Sequence, residues 1–157
     1  MPTYRLRVNG RSVTADSWDP EQPLLYVLRN QFGLHGAKYG CGQGQCGACM
    51  VLVDDAVAFS CLTPIKDVAG RRVTTVEGLG TVEKPSPVQA AFVAEQAAQC
   101  GYCTSGLVVA ATALLRRTPH PTREQVMEGL SPNLCRCGAH TRIIDAVLRA
   151  AKAGGGR

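Results

Sequence analysis

Aromatic side chains are scarce in this sequence of 157 residues, at 5% of the chain, and no apolar run approaches the length of a membrane span. A transmembrane helix needs about 20 consecutive, mostly apolar residues. The first residues, from Met1 to Arg5, also lack the apolar core of a secretory signal peptide. We therefore expect no direct membrane insertion and a cytoplasmic protein, with export in complex with a partner left open.

Blocks of one charge sign are missing as well. The 17 Lys and Arg residues outnumber the 12 Asp and Glu residues, but no more than two basic residues are adjacent, as at Arg71-Arg72 and Arg116-Arg117. A surface that binds nucleic acid needs clustered basic side chains for the phosphates and aromatic rings for the bases. The sequence therefore predicts no nucleic-acid partner.

Motifs of self-contained catalysis are absent too. The sequence has no P-loop, no Gly-x-Gly-x-x-Gly at a strand-to-helix turn, no Ser-His-Asp signature and no paired carboxylates in a pocket motif. We expect no catalytic residue in this chain.

Cysteine, in contrast, is abundant: the chain has eight, in two groups of four. The first group is Cys41, Cys46, Cys49 and Cys61. Its spacing, C-x4-C-x2-C and then eleven residues to the fourth, is the plant-type spacing that holds a 2Fe-2S cluster. Glycines are interleaved with these cysteines, which lets the loop turn its sulfurs and backbone N–H groups inward.

Two other structural roles for these cysteines are a set of disulfides and a zinc site. A secreted disulfide framework could use eight cysteines, but such domains are usually shorter and carry a signal peptide. Structural zinc could take four thiolates, but its ligand pairs are separated by about two to four residues in both halves of the site. The spacing of the first group therefore favours an iron–sulfur cluster.

The second group is Cys100, Cys103, Cys135 and Cys137, with the spacing C-x2-C-x31-C-x-C. Each pair precedes a predicted helix, and the positive end of a helix dipole favours a net-negative group. Two such pairs facing each other would hold a second cluster. The rival interpretation is a catalytic dithiol of Cys100 and Cys103, which leaves the other pair unexplained.

Histidine could also supply cluster ligands, as in Rieske centres. His35 and His140 flank the cysteine groups, while His120 lies between two prolines. Because each group already has four thiolates, we expect these side chains near the ligands or on the surface rather than on iron.

The N-terminal half reads as a small mixed sheet crossed by one helix. Alternation predicts a hairpin of 4–8 and 12–15, a helix over 24–32, a second hairpin of 49–53 and 57–59, and a strand over 73–76. This agrees with the β-grasp arrangement of plant-type ferredoxins, although periodicity does not give the strand order. Trp18 is expected to be a buried packing residue.

Composition changes at a linker rich in glycine and proline, after which only helical patterns occur. We predict helices over 87–98, 104–117, 123–130 and 141–152. The expected fold class is α+β: a ferredoxin-like domain over residues 1–77, a linker over 78–85 and an all-α four-helix domain over 86–157.

Four motifs together resemble one known family. They are Gly-Ala-Lys-Tyr-Gly-Cys at 36–41, Gln-Cys-Gly-Ala-Cys at 45–49, Gln-Cys-Gly-Tyr-Cys at 99–103 and Asn-Leu-Cys-Arg-Cys at 133–137. From about Tyr4 to Ala150 the chain resembles the small iron–sulfur subunit of the molybdenum hydroxylases, the xanthine oxidase and aldehyde oxidoreductase family. It departs from the common pattern at Asp54-Asp55, Ser105 and Ala139-His140, none of which is a predicted ligand.

The resemblance implies a division of labour between subunits. A large partner would hold molybdenum on a pterin and hydroxylate the substrate, and this chain would carry the electrons through two 2Fe-2S clusters, the second cysteine group receiving them first. Gln99 and Cys137 would contact the pterin; the alternative for Gln99 is a helix-flanking cap residue. A free-standing carrier of ferredoxin type is the alternative function.

The resemblance also bears on the electron acceptor. Most family members pass electrons to a flavin, whereas the isoquinoline and nicotinate dehydrogenase branch uses a partner with cytochrome c or another external acceptor. The segments 42–45, 103–106 and 137–143 resemble that branch. If the acceptor is a cytochrome, we expect a small, transient and largely polar contact around Cys41 to Cys49.

Overall fold

A five-stranded mixed sheet forms the first half of the computed structural model, which describes residues 1–156. The strands are β1 (Thr3–Val8), β2 (Arg11–Asp16), β3 (Met50–Val53), β4 (Ala56–Phe59) and β5 (Arg72–Thr74). Their order across the sheet is β2-β1-β5-β3-β4. Strands β1 and β5 are parallel, and the other neighbours are antiparallel. Both predicted hairpins are therefore present, and β5 joins them.

The two hairpin turns use residues that tolerate the left-handed backbone region. Asn9 and Gly10 have φ values of 49° and 81°, and Asp54 and Asp55 have 48° and 70°. A two-residue hairpin turn with positive φ at both positions favours Asn, Asp and Gly. The turn residues thus set the register of β1 on β2 and of β3 on β4.

Five helices complete the chain, together with short 3-10 turns at Ile65–Val68 and Val76–Gly78. They are α1 (Leu24–Asn30), α2 (Pro87–Ala94), α3 (Thr104–Arg117), α4 (Arg123–Gly129) and α5 (His140–Lys152). Ser86 with Gln89, and Thr122 with Gln125, form complete capping boxes that begin α2 and α4. Helix α2 ends four residues before the predicted end, because Gln96 has a φ of 49° that a right-handed helix does not accept.

Strand β3 is buried on both faces. Met50 and Leu52 belong to the core of the helical half, while Val51 and Val53 belong to the core beneath α1. Successive strand residues point to opposite faces, so an apolar residue is needed at every position of β3. Helix α3 covers the face of β3 opposite to α1. The N-terminal and C-terminal halves of the chain therefore meet at β3.

Helix α3 and the first cysteine loop approach each other through glycines. A Cβ built on Gly106 would lie 3.0 Å from the carbonyl carbon of Gly47 and 3.2 Å from the Cα of Ala48. Both neighbours are backbone atoms that cannot rotate aside. Glycine at position 106 therefore lets α3 begin directly against the loop.

Two sequence-based expectations concern the surface. The prediction that Trp18 packs in the core is wrong, because its side chain is 76% exposed on the connection between β2 and α1, where Leu24 and Leu25 fill the core instead. Within residues 1–156, every helix is too short or too polar to cross a membrane.

Candidate metal centres

The first four cysteines, named the loop set here, are Cys41, Cys46, Cys49 and Cys61. Three lie on the connection between α1 and β3, and the fourth follows β4. Pairing of β3 with β4 places Met50 opposite Phe59, so the cysteines just outside this register meet at the same end of the hairpin. The Ser60 hydroxyl donates to the Cys49 carbonyl at 2.6 Å and holds the two ends together.

Backbone N–H groups point at the sulfurs of the loop set. The N–H groups of Gln43 and Gln45 donate to Cys41 Sγ at 3.3 and 3.2 Å, and the N–H of Cys41 donates to Cys46 Sγ at 3.4 Å. The Gln43 and Gln45 bonds lower the pKa of the Cys41 thiol from 9.0 to about 7. The loop is therefore built to stabilise negative charge on sulfur.

Burial acts in the opposite direction on Cys49. Desolvation raises the pKa of this thiol to about 12, and the thiol of Cys61, which is also buried, contributes to the shift. A thiolate buried without a cation is strongly unfavourable, whereas a coordinated thiol is deprotonated by the metal itself. Cys49 and Cys61 are consequently better suited to be metal ligands than to remain free thiols.

The other four cysteines, named the helix set, are Cys100, Cys103, Cys135 and Cys137. Cys103 is the N-cap residue of α3, and the last two lie just before α5. The thiols of Cys103 and Cys135 lie close enough to shift each other's pKa, and the Cys137 thiol lies close enough to Cys100 to lower the pKa of Cys100. Each of the two loops therefore contributes one cysteine to each pair.

The helix set has a buried pair and an exposed pair. Desolvation raises the pKa of Cys103 to about 12. On the exposed side, the Tyr102 N–H donates to Cys100 Sγ at 3.5 Å, and this bond together with the Cys137 thiol lowers the pKa of Cys100. Burial would raise the pKa of Cys135, but its bonds, first among them the Ala139 N–H at 3.4 Å, lower it.

Each of the two sets offers four thiols arranged in pairs. Among residues 1–156, no group of three or more His, Cys, Asp or Glu side chains is arranged to hold one metal ion. The thiols lie two by two, as Cys41 beside Cys46 in the loop set and as the two pairs of the helix set. Four thiolates in two pairs match the ligand requirement of a 2Fe-2S cluster.

A polar atom beside the helix set supports the same fit. Thr104 follows Cys103, and its Oγ1 is buried without a hydrogen-bond partner in the described part of the chain. Buried hydroxyl groups nearly always have a partner. A sulfur-rich group on the neighbouring cysteine would supply an acceptor.

The two sets are joined by short connections that sequence reasoning did not find. The N–H of Leu134, next to Cys135, donates to the Cys46 carbonyl at 2.9 Å. Asn133 is buried against Gly47, and its Nδ2 donates to Met50 Sδ at 3.2 Å. No spacing pattern could reveal these bonds, since they join segments far apart in sequence.

Gln99 and the histidines all lie on the surface. Gln99 caps neither neighbouring helix, because the caps are Glu95 of α2 and Cys103 of α3, so the alternative role as a cap residue is wrong. It is exposed directly before the exposed Cys100, which itself pairs with Cys137. His35, His120 and His140 are likewise exposed.

Comparison with known proteins gives matches over most of the chain. The family model for the 2Fe-2S iron-sulfur cluster binding domain matches residues 6–72, and that for the [2Fe-2S] binding domain matches residues 75–148. The chain is 53% identical over 150 residues to a nicotinate dehydrogenase subunit of Pseudomonas putida, covering 96% of this chain and 95% of that one. It is 46% identical over 145 residues to the alpha subunit of isoquinoline 1-oxidoreductase of Brevundimonas diminuta, covering 92% and 95% of the two chains.

A solved structure extends the likeness to the fold. The aldehyde oxidoreductase from Desulfovibrio gigas matches with a TM-score of 0.92 and 42% identity. The match covers 98% of this chain but 17% of that one. The same unit therefore occurs there as part of a much longer chain.

Proposed function

The chain belongs to the family of two-cluster iron–sulfur subunits of the molybdenum hydroxylases and works there in electron transfer, and on this premise we propose which residues hold the clusters. The loop set binds one 2Fe-2S cluster through Cys41, Cys46, Cys49 and Cys61. The helix set binds the other through Cys100, Cys103, Cys135 and Cys137. Such clusters supply one-electron redox chemistry, and the protein supplies ligands, hydrogen bonds and spacing.

The observation that carries this proposal is the matched surroundings of the two sets. Each combines cysteines from two separate segments, and backbone N–H groups donate to sulfur in both, from Gln43 and Gln45 in one and from Tyr102 and Ala139 in the other. Backbone donors at sulfur favour the charged form of the ligand and tune the potential of a cluster. A dithiol enzyme would need one such pair rather than eight cysteines.

The large partner subunit is proposed to dock where the helix set reaches the surface. Gln99, Cys100 and Cys137 are all exposed there, whereas Cys49, Cys61 and Cys135 are buried. We assign Gln99 and Cys137 to the contact with the molybdenum pterin held by that partner. Electrons then enter at the helix set and leave from the loop set.

The division into domains follows the change of secondary structure. Residues 1–77 form the ferredoxin-like unit, 78–85 the linker and 86–157 the helical unit, with Arg157 outside the described residues. Because β3 is shared between both cores, we expect the two units to behave as one body rather than to hinge. Eight free cysteines also fit assembly in the reducing cytoplasm.

For the electron acceptor we propose a cytochrome c partner or another external acceptor rather than a flavin subunit. The similarity to the nicotinate dehydrogenase and isoquinoline oxidoreductase subunits supports this branch. The surface of the loop set carries exposed Gln43 and Gln45 but also half-exposed Tyr39 and Leu62, so the expected contact is less polar than the sequence alone suggests. Flavin in stoichiometric amount in the native complex, with fast reduction of NAD, would contradict this assignment.

The cluster assignment is tested by metal analysis of the native complex. Two 2Fe-2S clusters require about four irons and four acid-labile sulfides per chain. Replacing Cys46 or Cys135 by Ser should remove the signal of one cluster in electron paramagnetic resonance and leave the other. Stoichiometric zinc without visible absorbance would disprove the assignment, and a chain that elutes alone in size-exclusion chromatography would favour a free-standing carrier.

The pterin contact is tested by Gln99→Ala in the assembled complex. We expect lower pterin content and slower turnover, with iron and sulfide unchanged, because the amide is proposed to hold the pterin rather than a cluster. Gln43→Ala, the same change at an exposed position of the other loop, is the matched control. Equal pterin content and rate in both variants would remove Gln99 from the site.

A further inference from the structure

Tyr102 is bonded to both cysteine loops. It stands between Cys100 and Cys103, and its backbone N–H donates to Cys100 Sγ at 3.5 Å. Its side-chain hydroxyl reaches the other loop and donates to the carbonyl oxygen of Tyr39. Tyr39 is two residues from Cys41, so one side chain links the neighbourhoods of two predicted ligands.

The acceptor of this bond is itself held in place. The ring of Tyr39 stacks on that of Tyr26 in α1, with centroids 6.4 Å apart and planes inclined by 17°. The Tyr39 hydroxyl also occupies the space where a side chain on Gly42 would begin. Tyr39 therefore contacts α1 on one side and the cysteine loop on the other, and these contacts restrain the backbone that carries the acceptor carbonyl.

A second bond joins the loop set to the other segment of the helix set, the one that precedes α5. The N–H of Leu134 donates to the Cys46 carbonyl at 2.9 Å, whereas the Tyr102 bond meets the loop before Cys41. The packing of Gly106 against Gly47 already brings the start of α3 close to the loop set. With that packing, the two bonds restrain both the distance and the relative orientation of the two sets.

We propose that Tyr102 is a positioning residue that, through its hydroxyl, fixes the separation and orientation of the loop set and the helix set. This inference rests on the function proposed above, in which an electron passes from the helix set to the loop set. The transfer oxidises one cluster and reduces the other by one electron, and no bond forms or breaks. The rate of electron transfer depends steeply on the distance between the two clusters, so a fixed distance gives every molecule the same rate.

The test is Tyr102→Phe in the cluster-loaded complex, which removes the hydroxyl and keeps the ring. The two units stay packed as one body, but loss of this hydrogen bond should weaken the local contact between the segments of Tyr102 and Tyr39 about two- to tenfold. We expect the magnetic interaction between the two reduced clusters, seen in electron paramagnetic resonance, to weaken or spread over a range of values. Reduction of the loop set after rapid mixing with substrate should slow by a similar factor, with iron and sulfide unchanged.

Tyr26→Phe is the matched control, since it removes a hydroxyl from the neighbouring ring and leaves the Tyr102 bond to Tyr39 in place. The control should retain the wild-type interaction and rate. An iron-loaded Tyr102→Phe complex with unchanged magnetic interaction and unchanged rate would overturn the inference alone. A wild-type complex without iron would overturn the proposed function as well.

Discussion

Replacing Gly106 by Ala tests whether the close approach of α3 to the first cysteine loop is rigid. Gly106 is the third residue of α3, and a Cβ there would lie 3.0 Å from the Gly47 carbonyl carbon, 3.2 Å from the Ala48 Cα and closer still to the Gly47 oxygen. Gly47 lies between Cys46 and Cys49. Either the helix or the cysteine loop must therefore move to admit one methyl group.

The sign of the effect follows from two opposing terms. Alanine inside a helix is favoured over glycine by about 0.8–1.0 kcal/mol. Overpacking a well-packed interior costs about 1–3 kcal/mol, and the upper part of that range applies here because the obstacle is backbone. We expect a net destabilisation of about 1–2 kcal/mol, which lowers the melting temperature of a chain of this size by about 2–8 °C.

Thermal melting of the assembled protein at one scan rate measures this effect, since unfolding with bound clusters is not a simple two-state equilibrium. Gly129→Ala is the control: it also places alanine in a helix, but the atoms nearest to its Cβ would belong to the Leu114 side chain, with both methyl groups at 2.9 Å. A flexible side chain can yield, so the control should melt at or above the wild-type temperature. If both variants melt alike, the contact between α3 and the loop is not rigid and the reasoning fails.

Two further predictions use the pKa shifts. The Arg71 guanidinium, which donates to Asp54 at 2.8 Å, and the Arg72 N–H lower the pKa of the Asp54 carboxyl. The ionised carboxylate therefore contributes its full stabilisation above the ordinary pKa of about 3.9, and this stabilisation is lost as the pH falls through the folded-state pKa. Asp54→Asn should therefore lower the melting temperature at neutral pH and converge with wild type in acid; a constant difference across the pH range would contradict this. In the metal-free chain near pH 7, iodoacetamide should modify Cys41, with a pKa of about 7, well before Cys49, with a pKa of about 12. Mass spectrometry would follow the modification of both cysteines. In denaturant the two should react at equal rates; equal rates in the folded chain would count against the proposed loop electrostatics.

Local signals in the sequence determined the start of helices and the shape of turns. The Thr122 and Gln125 pair predicts the capping box that begins α4, and Asn9-Gly10 predicts the first hairpin turn. The contacts involved span three residues or fewer, so the chain carries them independently of its surroundings. The spacing of the first four cysteines is local in the same sense, apart from Cys61, which the hairpin returns to the loop.

Contacts between distant segments were decided only by tertiary structure. Strand β5 pairs in parallel with β1 and separates the two hairpins, and the thiol of Cys100 meets that of Cys137 while Cys103 meets Cys135. Trp18 carries an apolar ring yet is exposed, whereas Leu24 and Leu25 of the following helix are fully buried. Each of these outcomes depends on which surfaces pack against one another. A residue pattern shows that a segment has an apolar face, but it does not show which other segment will cover that face.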